Sequence, residues 1–291
     1  MALFGYDYQT RRRREALALF LIRASAVLVL AILGGILAFI FYNGFSAITW
    51  DFLTQFPRDG MRAGGIFPAL LGTLLLAVGS LVIALPLGFG AAIYLAEYAR
   101  PGALLTAIRL GISNLAGVPS VVFGLFGLAV FVGVLGFGRS LLSGSLTLAL
   151  LVLPTVISSA EESLRQTPQS FREAAIGLGA NRWQAIRQVV LPAALPNMLT
   201  GAILALGRAA GETAPIMFTA AAAYTLALPD SVFSEVMALS THIYNMATSG
   251  THIEEARHLQ YGSVMVLMAL VLGLSLIAII IRARLRRGRQ W

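Results

Sequence analysis

Six long apolar runs, separated by short polar stretches, restrict what this chain can become more than any other feature. They cover roughly residues 17–42, 67–96, 110–135, 141–159, 196–224 and 261–281. A helix needs about 20 apolar residues to cross a bilayer core, and in hydrocarbon every backbone polar group must be paired within the segment itself. The expectation is an all-α integral membrane protein with six transmembrane helices. Composition agrees, since 58% of the 291 residues are hydrophobic and 12% are charged, against about 25% charged in soluble domains. The first run follows Arg11, Arg12, Arg13 and Arg14. Secretory signals have apolar cores of about 7–15 residues and a small-residue cleavage site, so this longer run reads as an uncleaved span. Arg23 near its basic end can snorkel.

Six spans put both termini on one side. That side gathers the N-terminal arginines, Arg100, Arg109, Arg165, Arg172, Arg182, Arg187 and the tail arginines from Arg282 to Arg289. The other holds Arg58, Arg62, Arg139 and Arg257, outweighed by acidic residues. The positive-inside rule then makes both termini cytoplasmic. The net charge of +8 faces anionic lipid headgroups and a cytoplasmic partner rather than nucleic acid. All 21 basic residues are arginine and there is no cysteine. A phosphate-loop lysine, Schiff-base chemistry, disulfides and thiolate metal sites are therefore excluded. His242, His252 and His258 fall in or beside the last external loop and read as surface residues, not a metal site. Pro86, Pro119, Pro154 and Pro215 lie inside apolar runs; each removes a donor and crowds the preceding turn, which predicts kinks.

One polar stretch between the fourth and fifth runs is heavily punctuated. Thr167-Pro168 starts a helix that Gly179 ends in the left-handed conformation. Asn181 and Gln184 then form a capping box for a second helix, with Trp183, Ile186 and Val190 on one face and Pro192 at its end. The stretch suits an ordinary solvated loop, a DNA-binding helix-turn-helix or a docking element for a cytoplasmic partner. Two arginines, Arg182 and Arg187, are little charge for phosphate contacts on DNA. Elsewhere, residues 232–246 have amphipathic spacing, which suits an interfacial helix docking an external partner or a plain packing helix.

Within the fifth run, Arg208 and Glu212 stand four residues apart in GRAAGETAP. A charge at membrane depth costs about 2.5–3.5 kcal/mol, and this spacing lets the two pair on one face. They fit either a self-neutralising pair between helices or a guanidinium facing a wet path, suited to tetrahedral oxyanions. Pro215 should bend the helix beside them.

Glu173-Ala174-Ala175, with Gly179, Val189 and Leu191-Pro192 at their spacings, resembles the EAA loop of binding-protein-dependent ABC importer permeases. The resemblance implies a type I (MetI-like) permease fold in which this loop is the coupling helix. Arg172, Glu173, Ala174, Ala175, Gly179, Leu191 and Pro192 would then engage an ATP-binding subunit. The segment after Gly207 and the stretch from Asn114 to Gly127 are similar to the phosphate-specific branch of the family, in its A-type subunits. That similarity implies a substrate path through Arg208 and Glu212, with Thr213, Asn114 and Ser120 beside it. It further implies a chain that is not itself an enzyme and binds no metal or cofactor, with ATP and magnesium held by two ATP-binding subunits. The other implied partners are a homologous C-type permease and an external phosphate-binding protein, in a bacterial inner membrane. The expected layout is a basic arm at 1–16, a first helix and external loop at 17–65, a permease core at 66–283 with the EAA loop at about 161–195, and a basic tail at 284–291. Other oxyanions such as molybdate or sulfate, and an ion-coupled secondary transporter, are the alternatives.

Overall fold

The computed structural model describes residues 5–61, 63–222, 224–225, 227–248 and 253–287. Arg62, His252 and Arg289 lie outside these. The order is α1 (Gly5–Gly44), short α2 (Trp50–Thr54), a two-stranded hairpin of β1 (Pro57–Arg58) and β2 (Ala63–Gly64), then α3 (Phe67–Ile93). α4 (Ala103–Ala116), α5 (Ser120–Gly127), α6 (Leu141–Arg165), α7 (Gln169–Gly177) and α8 (Arg182–Ala185) follow. α9 (Leu191–Gly211), α10 (Ala214–Thr219), α11 (Leu239–Thr248) and α12 (Ile253–Arg287) complete the chain. Among the described residues five helices are long and apolar enough to cross a membrane, or six if one bent pair counts as a single span.

α6 is the axis of the bundle, with α3 and α9 packed along it and α4, α5 and α10 on its other sides. Ala84 of α3, Leu151, Val152 and Val156 of α6, and Ala205 and Ala209 of α9 form the central core. Small residues let these helices approach closely, as membrane helices require in place of a hydrophobic driving force. A Cβ on Gly88 would lie 2.6 Å from a Val156 methyl, and one on Gly201 would lie 2.5 Å from Ser159. α1 stands apart from this core and packs on α12, where the Phe39 and Tyr261 rings meet edge to face at 5.5 Å.

Three expectations about helix extents change. The third apolar run is not a straight span: α4 and the segment 120–134 meet at 98°. Pro119 forces this, because it keeps Val118 out of the helical region and offers no donor of its own; the preceding turn closes with the Gly117 amide on the Asn114 carbonyl at 3.0 Å. The fifth span runs from Arg182 to Gly211, 30 residues without a break, instead of residues 196–224. A π turn at Ile186–Val190 widens the helix just ahead of Pro192, so the ring enters without ending it. At the other end the helix stops outright: Glu212 is extended (φ −70, ψ 139), and Pro215 falls in the first turn of α10, where no donor is needed. Pro86 and Pro154, by contrast, sit inside unbroken helices.

The third change is at residues 232–246, which are helical only from Leu239 onward. The Val232 and Ser234 carbonyls instead accept the Leu142 and Leu141 amides at 2.8 and 2.9 Å, closing donors that the first turn of α6 leaves open. Val236, Met237 and Leu239 are buried, so this is packing rather than an interfacial helix. His242, expected on the surface, is 3% exposed, and its Nδ1 has no hydrogen-bond partner among the described residues. Burial holds its pKa down to about 4. His258 is exposed.

Candidate functional site

Two groups of residues stand at opposite ends of one rod, the helix from Arg182 to Gly211. At its start is an elbow. α7 ends in a paired C-terminal closure, with the Ala180 amide on the Ala175 carbonyl at 3.0 Å and the Gly179 amide on the Ile176 carbonyl at 2.9 Å. This closure needs a left-handed residue, and Gly179 supplies it at φ +90. Asn181 then caps α8, its side chain accepting the Gln184 amide while Gln184 Oε1 accepts the Asn181 amide, both at 2.9 Å. Both features were legible in the sequence. Pro168 takes the cap position of α7 rather than its first helical one.

The elbow presents apolar side chains outward. Leu178 is 91% exposed, and Ile176 and Trp183 are more than half exposed. Glu173 and Ala174 are exposed beside them, while Ala175 is buried inward. Leu191 is half-buried; Pro192 lines a groove of about 500 Å³ with Phe171, Ala174, Leu178 and Gln188. Together these form an exposed apolar tip on the corner, of the kind that contacts protein or membrane.

Arg172, expected on that surface, points the other way. Its Nε donates to both oxygens of Glu97 at 3.2 Å, and one terminal nitrogen reaches Glu97 Oε1 at 2.6 Å. The remaining donors go to the Thr167 and Leu164 carbonyls at 2.7 and 2.9 Å. The side chains are 7% (Glu97) and 16% (Arg172) exposed, and removing one partner of such a pair costs roughly 3–5 kcal/mol. Arg182 donates to the Glu97 carbonyl and stacks 4.9 Å over the Tyr98 ring. Glu97 therefore ties both arms of the elbow to the end of α3. A second carboxylate, Glu161, takes Arg109 at 2.8 Å and Arg165 at 3.0 Å. Glu97 and Glu161 are sites the sequence reading missed. Glu97 lies 75 residues from Arg172 and Glu161 lies 52 from Arg109, and no local pattern signals those two pairs, whereas Glu161–Arg165 falls at helical four-residue spacing.

At the far end of the rod, roughly 40 Å from Arg182 along the helix, Arg208 Nε meets Glu212 Oε1 at 3.3 Å. The expected pair is present, but in the last turn of α9 and at its break, not midway along a continuous helix. A cation there also faces the negative end of the helix dipole. Arg208 is 36% exposed and Glu212 16%; the terminal nitrogens of Arg208 take no protein partner among the described residues. The Glu212 carbonyl accepts the Ser240 hydroxyl at 2.8 Å, and Thr213 is half-buried in the break. Asn114 is exposed and Ser120 half-buried at the 98° corner of α4 and α5. Gly124 brings α5 onto Pro215 of α10, where a Cβ would come within 2.8 Å. No hydrogen bond joins Asn114 or Ser120 to the ion pair among the described residues. Nor do those residues hold a cluster of three or more metal-ligating side chains.

A bundle of five or six helices long and apolar enough to cross a bilayer, among the described residues, defines a multi-pass membrane protein. The chain belongs to the family of binding-protein-dependent transport system inner membrane components, matching it over residues 84–290. It is 33% identical over 279 residues to the probable ABC transporter permease protein YqgI of Bacillus subtilis, covering 92% of this chain and 95% of that one. It is 36% identical over 272 residues to the phosphate transport system permease protein PstA of Mycobacterium leprae, covering 91% and 88%. In fold it is similar to a chain of the bacterial alginate ABC transporter solved with an alginate-loaded periplasmic protein, with a TM-score of 0.66 over 92% of this chain and 94% of that one, at 16% identity.

Proposed function

We propose that this chain is a permease subunit of an ATP-driven importer of inorganic phosphate. The observation that carries the cargo is Arg208: a half-exposed guanidinium whose terminal nitrogens are open to a ligand. A planar fork matches a tetrahedral oxyanion bidentately. Glu212 holds Nε and tempers the charge, so that the anion binds without being trapped. Its carboxylate also accepts a hydrogen bond from a phosphate hydroxyl, which sulfate lacks at neutral pH. The phosphate transport permeases among its relatives support the same cargo. Thr213, Asn114 and Ser120 are the polar groups we assign to the rest of the path.

The elbow, both termini and the basic arm and tail face the cytoplasm in this reading, on the strength of the arginine asymmetry. The exposed Leu178, Ile176 and Trp183 seat on an ATP-binding subunit, one of two, each carrying its own ATP and magnesium; this chain hydrolyses nothing. A homologous permease completes the path and a phosphate-binding protein delivers cargo from outside. ATP-driven approach of the two motor subunits pushes the elbow, and the uninterrupted helix from Arg182 to Gly211 carries that push to the ion pair, alternating its access.

The test is uptake by the reconstituted complex over a panel of oxyanions. Arg208→Leu abolishes uptake while the ATP-binding subunits still co-purify, and Glu212→Gln narrows the preference for phosphate over sulfate. Unchanged preference in Glu212→Gln would remove its role in selection, and a complex that moves molybdate or sulfate but not phosphate would overturn the cargo.

A further inference from the structure

We infer that Glu97 is the joint through which the elbow moves α3 together with the rod, so that a push reaches the ion pair along two helices. This rests on the elbow being the driven part, as proposed above, but not on which anion is carried.

The geometry is a closed frame. At the elbow, the Glu97 carboxylate holds Arg172 of α7 and its carbonyl holds Arg182 of α8. One residue thus grips both sides of the Gly179 corner. The helix that carries Glu97 runs unbroken from Phe67 to Tyr98. Its far end is hydrogen-bonded too: Thr73 Oγ1 accepts the Leu239 amide at 2.8 Å. The next residue, Ser240, donates to the Glu212 carbonyl at 2.8 Å. Glu212 is therefore reached from the elbow by the rod on one side, and by α3 and the start of α11 on the other.

Rigidity at the joint follows from its chemistry. A guanidinium bound through three nitrogens to a carboxylate and two carbonyls has no donor-free rotation left. The two side chains are 16% and 7% exposed, so their attraction is screened less than that of a surface pair. Glu97 also lies in a π turn at Tyr94–Tyr98, and π turns are frequent at functional sites. Glu97 touches no proposed cargo or motor partner; it is a positioning residue acting through Arg172 and Arg182.

This chain has no cysteine, so with cysteine-free partner subunits every thiol is one placed by design. Spin labels are placed at Ser170→Cys on α7 and Tyr94→Cys in the π turn that continues α3, both exposed sites, in the complex reconstituted with its motor subunits. The 170–94 distance is then measured without nucleotide and with ATP trapped. The expected result is a distance that ATP leaves unchanged in the parent and widens in Glu97→Gln. Phosphate delivered per ATP hydrolysed falls about tenfold in the same variant, within the range of ordinary coupling energies, with the motor subunits still bound. A Glu97→Cys/Arg172→Cys pair bridged by a short bismaleimide restores the ratio, and it also decides the matter if Glu97→Gln fails to assemble. A parent distance that changes with ATP, a distance unchanged in Glu97→Gln, or a bridge that restores nothing would each overturn the inference. The distance arm reads the joint whatever the anion, so an error in the cargo shows up separately, as a parent complex that spends ATP without moving phosphate.

Discussion

Replacing Gly179 isolates the backbone of the elbow from its side-chain contacts. Gly179 sits at φ +90, and a Cβ built there meets nothing within 4 Å. The cost of a side chain is therefore conformational, with no collision to relieve. An alanine in left-handed backbone costs about 1–2 kcal/mol, and a β-branched residue held in such a region costs up to about 3 kcal/mol. Loss of glycine's freedom in the unfolded chain returns about 0.4–1 kcal/mol. The net is roughly 1 kcal/mol for Gly179→Ala and roughly 2 kcal/mol for Gly179→Val. At 1.4 kcal/mol per tenfold, those are about 5-fold and about 30-fold increases in opening of the corner. The reporters are the Gly179 and Ala180 amides, bonded to Ile176 and Ala175, read by hydrogen exchange in the purified complex. Gly179→Asn should exchange least of the three, since asparagine tolerates this conformation. Val and Gly variants with the same exchange would show that the corner is held by its flanks and not by its glycine.

Other perturbations address other parts of the account. His242 has a folded pKa of about 4 against an ordinary 6.5, so its contribution to stability is whole above pH 6.5 and is lost as pH falls toward 4. The loss reaches about 3 kcal/mol when complete. Thermal unfolding at pH 7 and pH 4.5 should therefore show a smaller drop in His242→Leu than in the parent, and equal drops would contradict the burial argument. Gly88→Val drives a Cβ to 2.6 Å from Val156, and overpacking of this kind costs about 1–3 kcal/mol; an unchanged melting temperature would show that α3 and α6 can separate freely.

What could be read from the chain alone divides along the range of the interaction. The Gly179 closure and the Asn181–Gln184 capping box are made by residues within a few positions of one another, and their spacing carries the whole signal. The Arg208–Glu212 pair is legible for the same reason. Helix boundaries were not, where proline stood near them. Pro192 and Pro86 look like breaks but are absorbed, the first by a π turn, whereas Pro119 and Pro215 coincide with real breaks. Hydropathy does not distinguish the prolines that a helix absorbs from those at which it ends. The Glu97 joint, the buried His242 and the carbonyls that close the first turn of α6 join segments distant in sequence. Their residue types give no sign of it.

The central claim is that the elbow is where an outside motor takes hold. Leu178→Cys at the tip, compared with Val134→Cys, 81% exposed on another segment, tests it in a chain with no other thiol. A photoactivatable maleimide at Leu178 should join this chain to the nucleotide-hydrolysing subunit, with little product from Val134. Capture of that subunit from Val134 but not from Leu178 would contradict the account.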